Sequence, residues 1–183
     1  MGSVERCMTE EKVESILVMK GEKEKCNTKR DIVIRGWCEW NGMERCAIVS
    51  LVVSDHCCNE SECDVLDLGE FVNLLELRIG NECFEKVNEL KLIGLSTLER
   101  VVIGESCFTR IKNSYGYGPN RHCYIKNCHS LREVKFGCFA FSDATVCEID
   151  NVNALEVIEM GDVCFFSSSL ELRGSLLLKW SYS

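Results

Sequence analysis

Proline is almost missing from this chain: Pro119 is the only one in 183 residues. No apolar run approaches the roughly 20 residues that a membrane-crossing helix needs, which excludes membrane insertion by a helix. The opening Met1-Gly2-Ser3-Val4-Glu5-Arg6 lacks the form of a secretory signal, because charge between Glu10 and Glu14 arrives where an apolar stretch would begin. Arg6 stands where N-myristoylation wants Ser or Thr. These absences read as a soluble, cytoplasmic protein. An excess of positive charge is also lacking. The net charge is −8, so the surface repels phosphate backbones and nucleic acid is not an expected partner.

Catalytic signatures are absent too. There is no Gly-x-Ser-x-Gly, no His-Glu-x-x-His and no phosphate-cradling glycine loop. The chain therefore reads as no enzyme, with no cofactor and no metal assigned. Histidine is scarce, at three residues: His56, His122 and His129.

Cysteine is abundant, at 14 residues, yet no Cys-x-x-Cys pair occurs. Without a secretory signal these thiols are expected to be reduced and to act as small buried apolar groups. Two clusters raise zinc as a question: His56-Cys57-Cys58 with Cys63, and His122-Cys123 with Cys128-His129.

An internal repeat decides the fold. The segments starting at Leu74, Leu98, Leu131 and Leu155 share the pattern L-x-x-V-x-I-G-x-x-C-F and lie 24, 33 and 24 residues apart. The long interval holds an insertion around Ser114–Asn120. A second apolar pair follows each first one, as in Leu66/Leu68, Leu90/Leu92, Cys123/Ile125, Cys147/Ile149 and Leu170/Leu172. Both are period-2 alternations, so each marks a short strand with one face inward. The spacing predicts a repeat solenoid, mainly short β-strands, two per coil of about 24 residues, with few or no helices. Gly80, Gly104, Gly137 and Gly161 are read as turn positions with positive φ. Residues 48–183 form the regular coils. Residues 1–47 form irregular N-terminal coils of the same solenoid, with Val13, Ile16 and Val18 as a worn first strand, Ile32–Ile34 with Trp37 as its second half, and a weak helix near Thr9–Ser15.

This pattern resembles leucine-rich repeats of the BspA-like class. The pairs Cys83-Phe84, Cys107-Phe108, Ala140-Phe141 and Cys164-Phe165 stand where that class carries a small residue followed by Phe. The resemblance covers about residues 48–178. It departs in having glycine after the strand instead of proline, and it lacks the Asn ladder of the better-known leucine-rich repeats. It implies a binding scaffold and names no partner.

The column Cys57, Cys83, Cys107, Cys164 is then expected to be an internal ladder of small side chains. The exposed columns are Glu76 and Arg78, Arg100 and Val102, Glu133 and Lys135, Val157 and Glu159, which stacking sets side by side. With Tyr115 and Tyr117 on the insertion they form the expected surface for an unknown protein partner. Two other functions stay open: self-assembly through an uncapped C-terminal coil, and a zinc-binding module.

Overall fold

The computed structural model describes residues 30–40, 43–60, 63–110, 121–165, 169–173 and 179–182. In chain order the strands are β1 (Arg30–Ile34), β2 (Ile48–Val53), β3 (Val65–Asp67), β4 (Glu76–Ile79), β5 (Glu89–Ile93), β6 (Arg100–Ile103), β7 (His122–Lys126), β8 (Glu133–Phe136), β9 (Val146–Asp150), β10 (Val157–Met160), β11 (Ser169–Arg173) and β12 (Lys179–Tyr182). Two short 3₁₀ turns, Trp37–Trp40 and Arg45–Ala47, are the only helical elements among the described residues.

All strand pairing is parallel. A seven-stranded sheet runs β1-β2-β4-β6-β8-β10-β12, and a five-stranded sheet runs β11-β9-β7-β5-β3. From β2 onward the chain alternates between the two, so each circuit adds one strand to each sheet. From β2 to β10 the register is uninterrupted: Glu76 faces Arg100, Arg100 faces Glu133, and Glu133 faces Val157. The second sheet keeps the same step, with Leu90 facing Cys123 and Cys123 facing Cys147. Both ladders keep their register without a bulge across the long interval between 103 and 122.

Parallel sheets usually have helices on both faces and read as continuous apolar runs. Here the two sheets cover one another, and the strands of the regular circuits from β4 to β9 alternate. In β8, Val134 and Phe136 are buried while Glu133 and Lys135 are half-exposed. In β7, Cys123 and Ile125 are buried between His122, Tyr124 and Lys126. A one-residue slip would turn every apolar side chain to solvent, which is why the pattern specifies the register.

Between the sheets the repeat positions form continuous rows. Leu74, Leu98, Leu131 and Leu155 are all buried, as are Phe71, Leu95, Cys128 and Val152. The aromatic column is the clearest. Phe84, Phe108, Phe141 and Phe165 stack ring on ring at centroid distances of 5.1, 4.6 and 5.1 Å, with planes within 13°, 7° and 8° of parallel.

The turn glycines work differently from the expectation. Gly80, Gly104, Gly137 and Gly161 do not have positive φ; among described glycines only Gly94 does, at 74°. They are needed because backbones touch. A Cβ on Gly137 would lie 2.6 Å from the Glu105 nitrogen and from the Gly104 carbonyl carbon. Positive φ falls instead on residues two and four places further on: Glu82 and Phe84, Ser106 and Phe108, Phe139 and Phe141, Val163 and Phe165. Such a conformation costs an L-residue roughly 1–2 kcal/mol.

The return is in hydrogen bonds. The Ser106 N–H reaches forward to the Cys138 carbonyl at 2.9 Å, and the Phe108 N–H reaches back to the Cys83 carbonyl at 3.0 Å. Phe139 and Phe141 repeat this at 2.9 Å each. Alternating φ sign aims successive N–H groups along the stacking direction, so a buried turn leaves these donors satisfied.

The first circuit departs from expectation. Ile32–Ile34 lies in the seven-stranded sheet as part of β1, with Ile34 facing Val53, and is not a second-sheet strand. The 19 positions from Ile34 to Val53 are too few for a strand in each sheet. Trp37 and Trp40 occupy the turn instead. The expected early strand Val13–Val18 and the helix near Thr9–Ser15 lie outside the described residues.

Candidate surface of the seven-stranded sheet

The outward rows come from strand alternation alone. One row runs Ser50, Glu76, Arg100, Glu133, Val157, and its neighbour runs Val52, Arg78, Val102, Lys135, Glu159. All eight strand residues expected on this face are on it and in lateral register. Tyr115 and Tyr117 lie outside the described residues.

The charged members join into one chain of ion pairs. Arg78 Nε meets Glu76 at 2.8 Å, and Arg100 meets Glu76 at 3.8 Å and Glu133 at 2.7 Å. Lys135 Nζ then bridges Glu133 at 3.0 Å and Glu159 at 2.9 Å. These two carboxylates, Glu159 foremost, hold the Lys135 ammonium above its ordinary pKa. Each exposed pair contributes about 0–1 kcal/mol, so the network orders the side chains more than it stabilises the fold. Three cations against three anions make this patch neutral within a chain of net charge −8. Val102 and Val157 put apolar surface into it.

The opposite face was missed by attention to the first strands, although the same alternation exposes it. On β7, Tyr124 accepts or donates a hydrogen bond with His122 Nδ1 at 3.2 Å, and Lys126 Nζ lies 4.7 Å from the Tyr124 ring centre. Lys126 also pairs with Glu148 at 2.5 Å. That hydrogen bond holds the Glu148 carboxyl below its ordinary pKa.

A second missed feature frames the insertion. Arg121 and Asp143 are both 2% exposed and pair at 3.5 Å. Asp143 also accepts the Arg110 N–H at 3.2 Å, and Arg121 donates to the Glu85 carbonyl at 2.6 Å. Asp143 therefore ties together the residues bounding segment 111–120. Burial lowers the Arg121 pKa, opposed by Asp143. Nothing in the local pattern marks Asp143, because its partners are 22 and 33 positions away.

The thiols of the first cluster that raised zinc as a question have other partners. The Cys57 Sγ donates to the Arg35 carbonyl at 3.2 Å, Cys63 Sγ to Val65 at 3.2 Å, and Cys58 is buried against Trp40 Nε1 at 3.4 Å. Cys123 and Cys128 are buried, whereas His122 is on the outer face. Among the described residues no three His, Cys, Asp or Glu side chains converge on a metal-sized space. No described helix is long and apolar enough to cross a membrane. Compared with known proteins, the chain matches no family model, no curated protein and no solved structure.

Proposed function

We propose that the chain is a solenoid of the leucine-rich-repeat kind, similar to the BspA-like class, and that it serves as a non-catalytic scaffold for binding another protein. The observation that carries this reading is the outward face of the seven-stranded sheet. In-register stacking makes a wide surface there whose charges are already mutually paired and which also carries Val102 and Val157. A surface with its charges pre-arranged loses little side-chain entropy on docking. The two-sheet stack, the Phe column and the repeat of about 24 residues support the solenoid reading.

The test is affinity capture with two double variants. Arg100→Ala with Lys135→Ala disrupts the proposed face, and Lys91→Ala with Lys126→Ala disrupts the opposite one. Proteins captured by the parent chain should be lost with the first variant and kept with the second. Equal capture by all three chains, or none by the parent, overturns the reading. Sedimentation at several concentrations separates it from self-assembly, since a binding scaffold of this kind stays monomeric throughout.

A further inference from the structure

The outward alternation of the seven-stranded sheet continues past the strand ends. Two residues beyond Val102, Lys135 and Glu159 it reaches Gly104, Gly137 and Gly161. These raise no side chain above the sheet, so a groove of about 290 Å³ crosses three circuits, with the glycines as its floor and Val102, Lys135 and Glu159 along its strand side. The glycines are there for close packing, so the groove itself follows from the fold. The residues on its other side do not follow from the fold.

That side is the turn after each strand. The successive pairs are Asp55-His56, Asn81-Glu82, Glu105-Ser106, Cys138-Phe139 and Asp162-Val163, with no Lys or Arg among them. Asp55, Glu105 and Asp162 are exposed. Lys135 across the groove does not offset them, because it already bridges Glu133 and Glu159 at 3.0 and 2.9 Å. The second member of each pair changes character along the stack. Earlier circuits carry His56, Glu82 and Ser106, and later ones carry Phe139 and Val163. The Phe139 ring is 37% exposed. Its N–H bonds the Asp162 carbonyl at 2.9 Å, which sets it against the turn that holds Val163. Ser106 adopts the same backbone, at φ 53° against 60° for Phe139, so the turn does not require an aromatic residue.

We propose that this groove docks an extended basic segment of the protein partner, with Phe139 as apolar anchor and Glu105 and Asp162 receiving its cationic side chains. The assignment rests on the reading of the seven-stranded face as a binding surface, and it names the partner's chemistry. In an extended segment alternate side chains point to opposite sides. Apolar ones lie over the glycine floor and against Phe139, and the Lys or Arg between them reach the carboxylates. Aromatic residues are the type that most often anchors an interface, and complementary charge steers the encounter. Strand addition is not the mode here. The N–H groups of Gly104, Gly137 and Gly161 already donate to Ile79, Ile103 and Phe136, each at 2.8 Å. A second copy of this chain, at net charge −8, brings the wrong sign, and so does nucleic acid.

The test uses the whole chain and two fluorescent peptides, one alternating leucine with arginine and one alternating leucine with glutamate, followed by anisotropy. The arginine peptide should bind, more weakly as salt rises, and the glutamate peptide should not. Phe139→Ser, with Ser106 as precedent for the backbone, should weaken binding about tenfold. Glu105→Gln with Asp162→Asn should weaken it also. Glu89→Gln with Asp150→Asn removes the same charge from the opposite sheet and should change nothing. Equal binding of the two peptides, equal loss from both charge pairs, or undiminished binding by Phe139→Ser overturns the site. Failure of the arginine peptide to bind overturns it too. If proteins captured by the parent are then still lost with Arg100→Ala and Lys135→Ala, only the groove assignment falls and the binding face stands.

Discussion

The first circuit and those after it solve the same packing problem with different residues. In the regular circuits a Phe ring lies on the ring of the circuit before it. In the first turn Cys58 stands where Phe84 and Phe108 stand later, and the ring is missing. Trp37 and Trp40 fill the space. Trp37 meets Phe84 edge-on at 5.8 Å, and Trp40 meets Phe84 at 6.2 Å and Phe71 at 6.2 Å. The indole N–H groups close onto Cys58, Trp37 to its carbonyl at 2.9 Å and Trp40 to its sulfur at 3.4 Å. Burial pushes the Cys58 thiol up to about 12, so it stays protonated beneath the indoles. Among the described residues the parallel ring stack gives way at Phe84 to edge-on indoles.

The largest effect that tests this comparison is loss of an interior ring. Phe108→Ala removes a side chain stacked on both sides, and should cost about 3–5 kcal/mol. Trp37→Ala removes a half-buried ring that meets Phe84 edge-on and Trp40 at a tilt, with no ring stacked on it, and should cost about half of that. Chemical denaturation followed by circular dichroism measures both. Equal losses would mean that the first described circuit is held as firmly as the later ones.

A smaller but sharper comparison lies in the glycines. At Gly137 an added Cβ meets backbone of the preceding circuit at 2.6 Å, and backbone cannot rotate away as a side chain can. At Gly94 a Cβ meets nothing within 4 Å, and only the positive φ opposes it. Gly137→Ala should cost about 1–3 kcal/mol through overpacking, and Gly94→Ala roughly 1 kcal/mol through backbone strain. A reversed order in thermal melts would restore the idea that Gly137 is there for its conformational freedom.

Those glycines show where sequence reasoning reached its limit. Period-2 alternation at Leu77/Ile79, Val101/Ile103 and Val134/Phe136 was enough to read the strands and their outward partners. Register followed because the same offsets recur. The Phe column followed for the same reason. But glycine answers two different needs, a positive φ and a close approach, and residue type alone does not tell them apart. The strained positions went to Phe84 and Phe108, residues that sterics disfavour there, because interlocking stacks and hydrogen bonds over-determine them. Ile32–Ile34 carried the right alternation for either sheet. Only the shortened connection through Trp37–Trp40 assigns it to the first. Asp143 was illegible because its role is to join chain segments distant in sequence.

The smallest effect concerns the two outer faces. Among the ion pairs of the second sheet, Lys126 with Glu148 has a hydrogen bond that depresses the carboxyl pKa, and nearby Arg173 acts the same way. The sign follows from linkage: a carboxyl with a lower pKa folded than unfolded stabilises the fold above its unfolded value of about 4.3, and that contribution fades as pH falls through the folded value. Glu148→Gln should therefore melt slightly below the parent at neutral pH, and the gap should close on acidification and in high salt. Lys135 on the first sheet gives the mirror case, since its pair with Glu159 raises a cation's pKa and weakens only as pH rises through that value. If the Glu148→Gln gap instead survives in acid, the side chain acts by packing beside Tyr124, and the two faces differ in shape more than in charge.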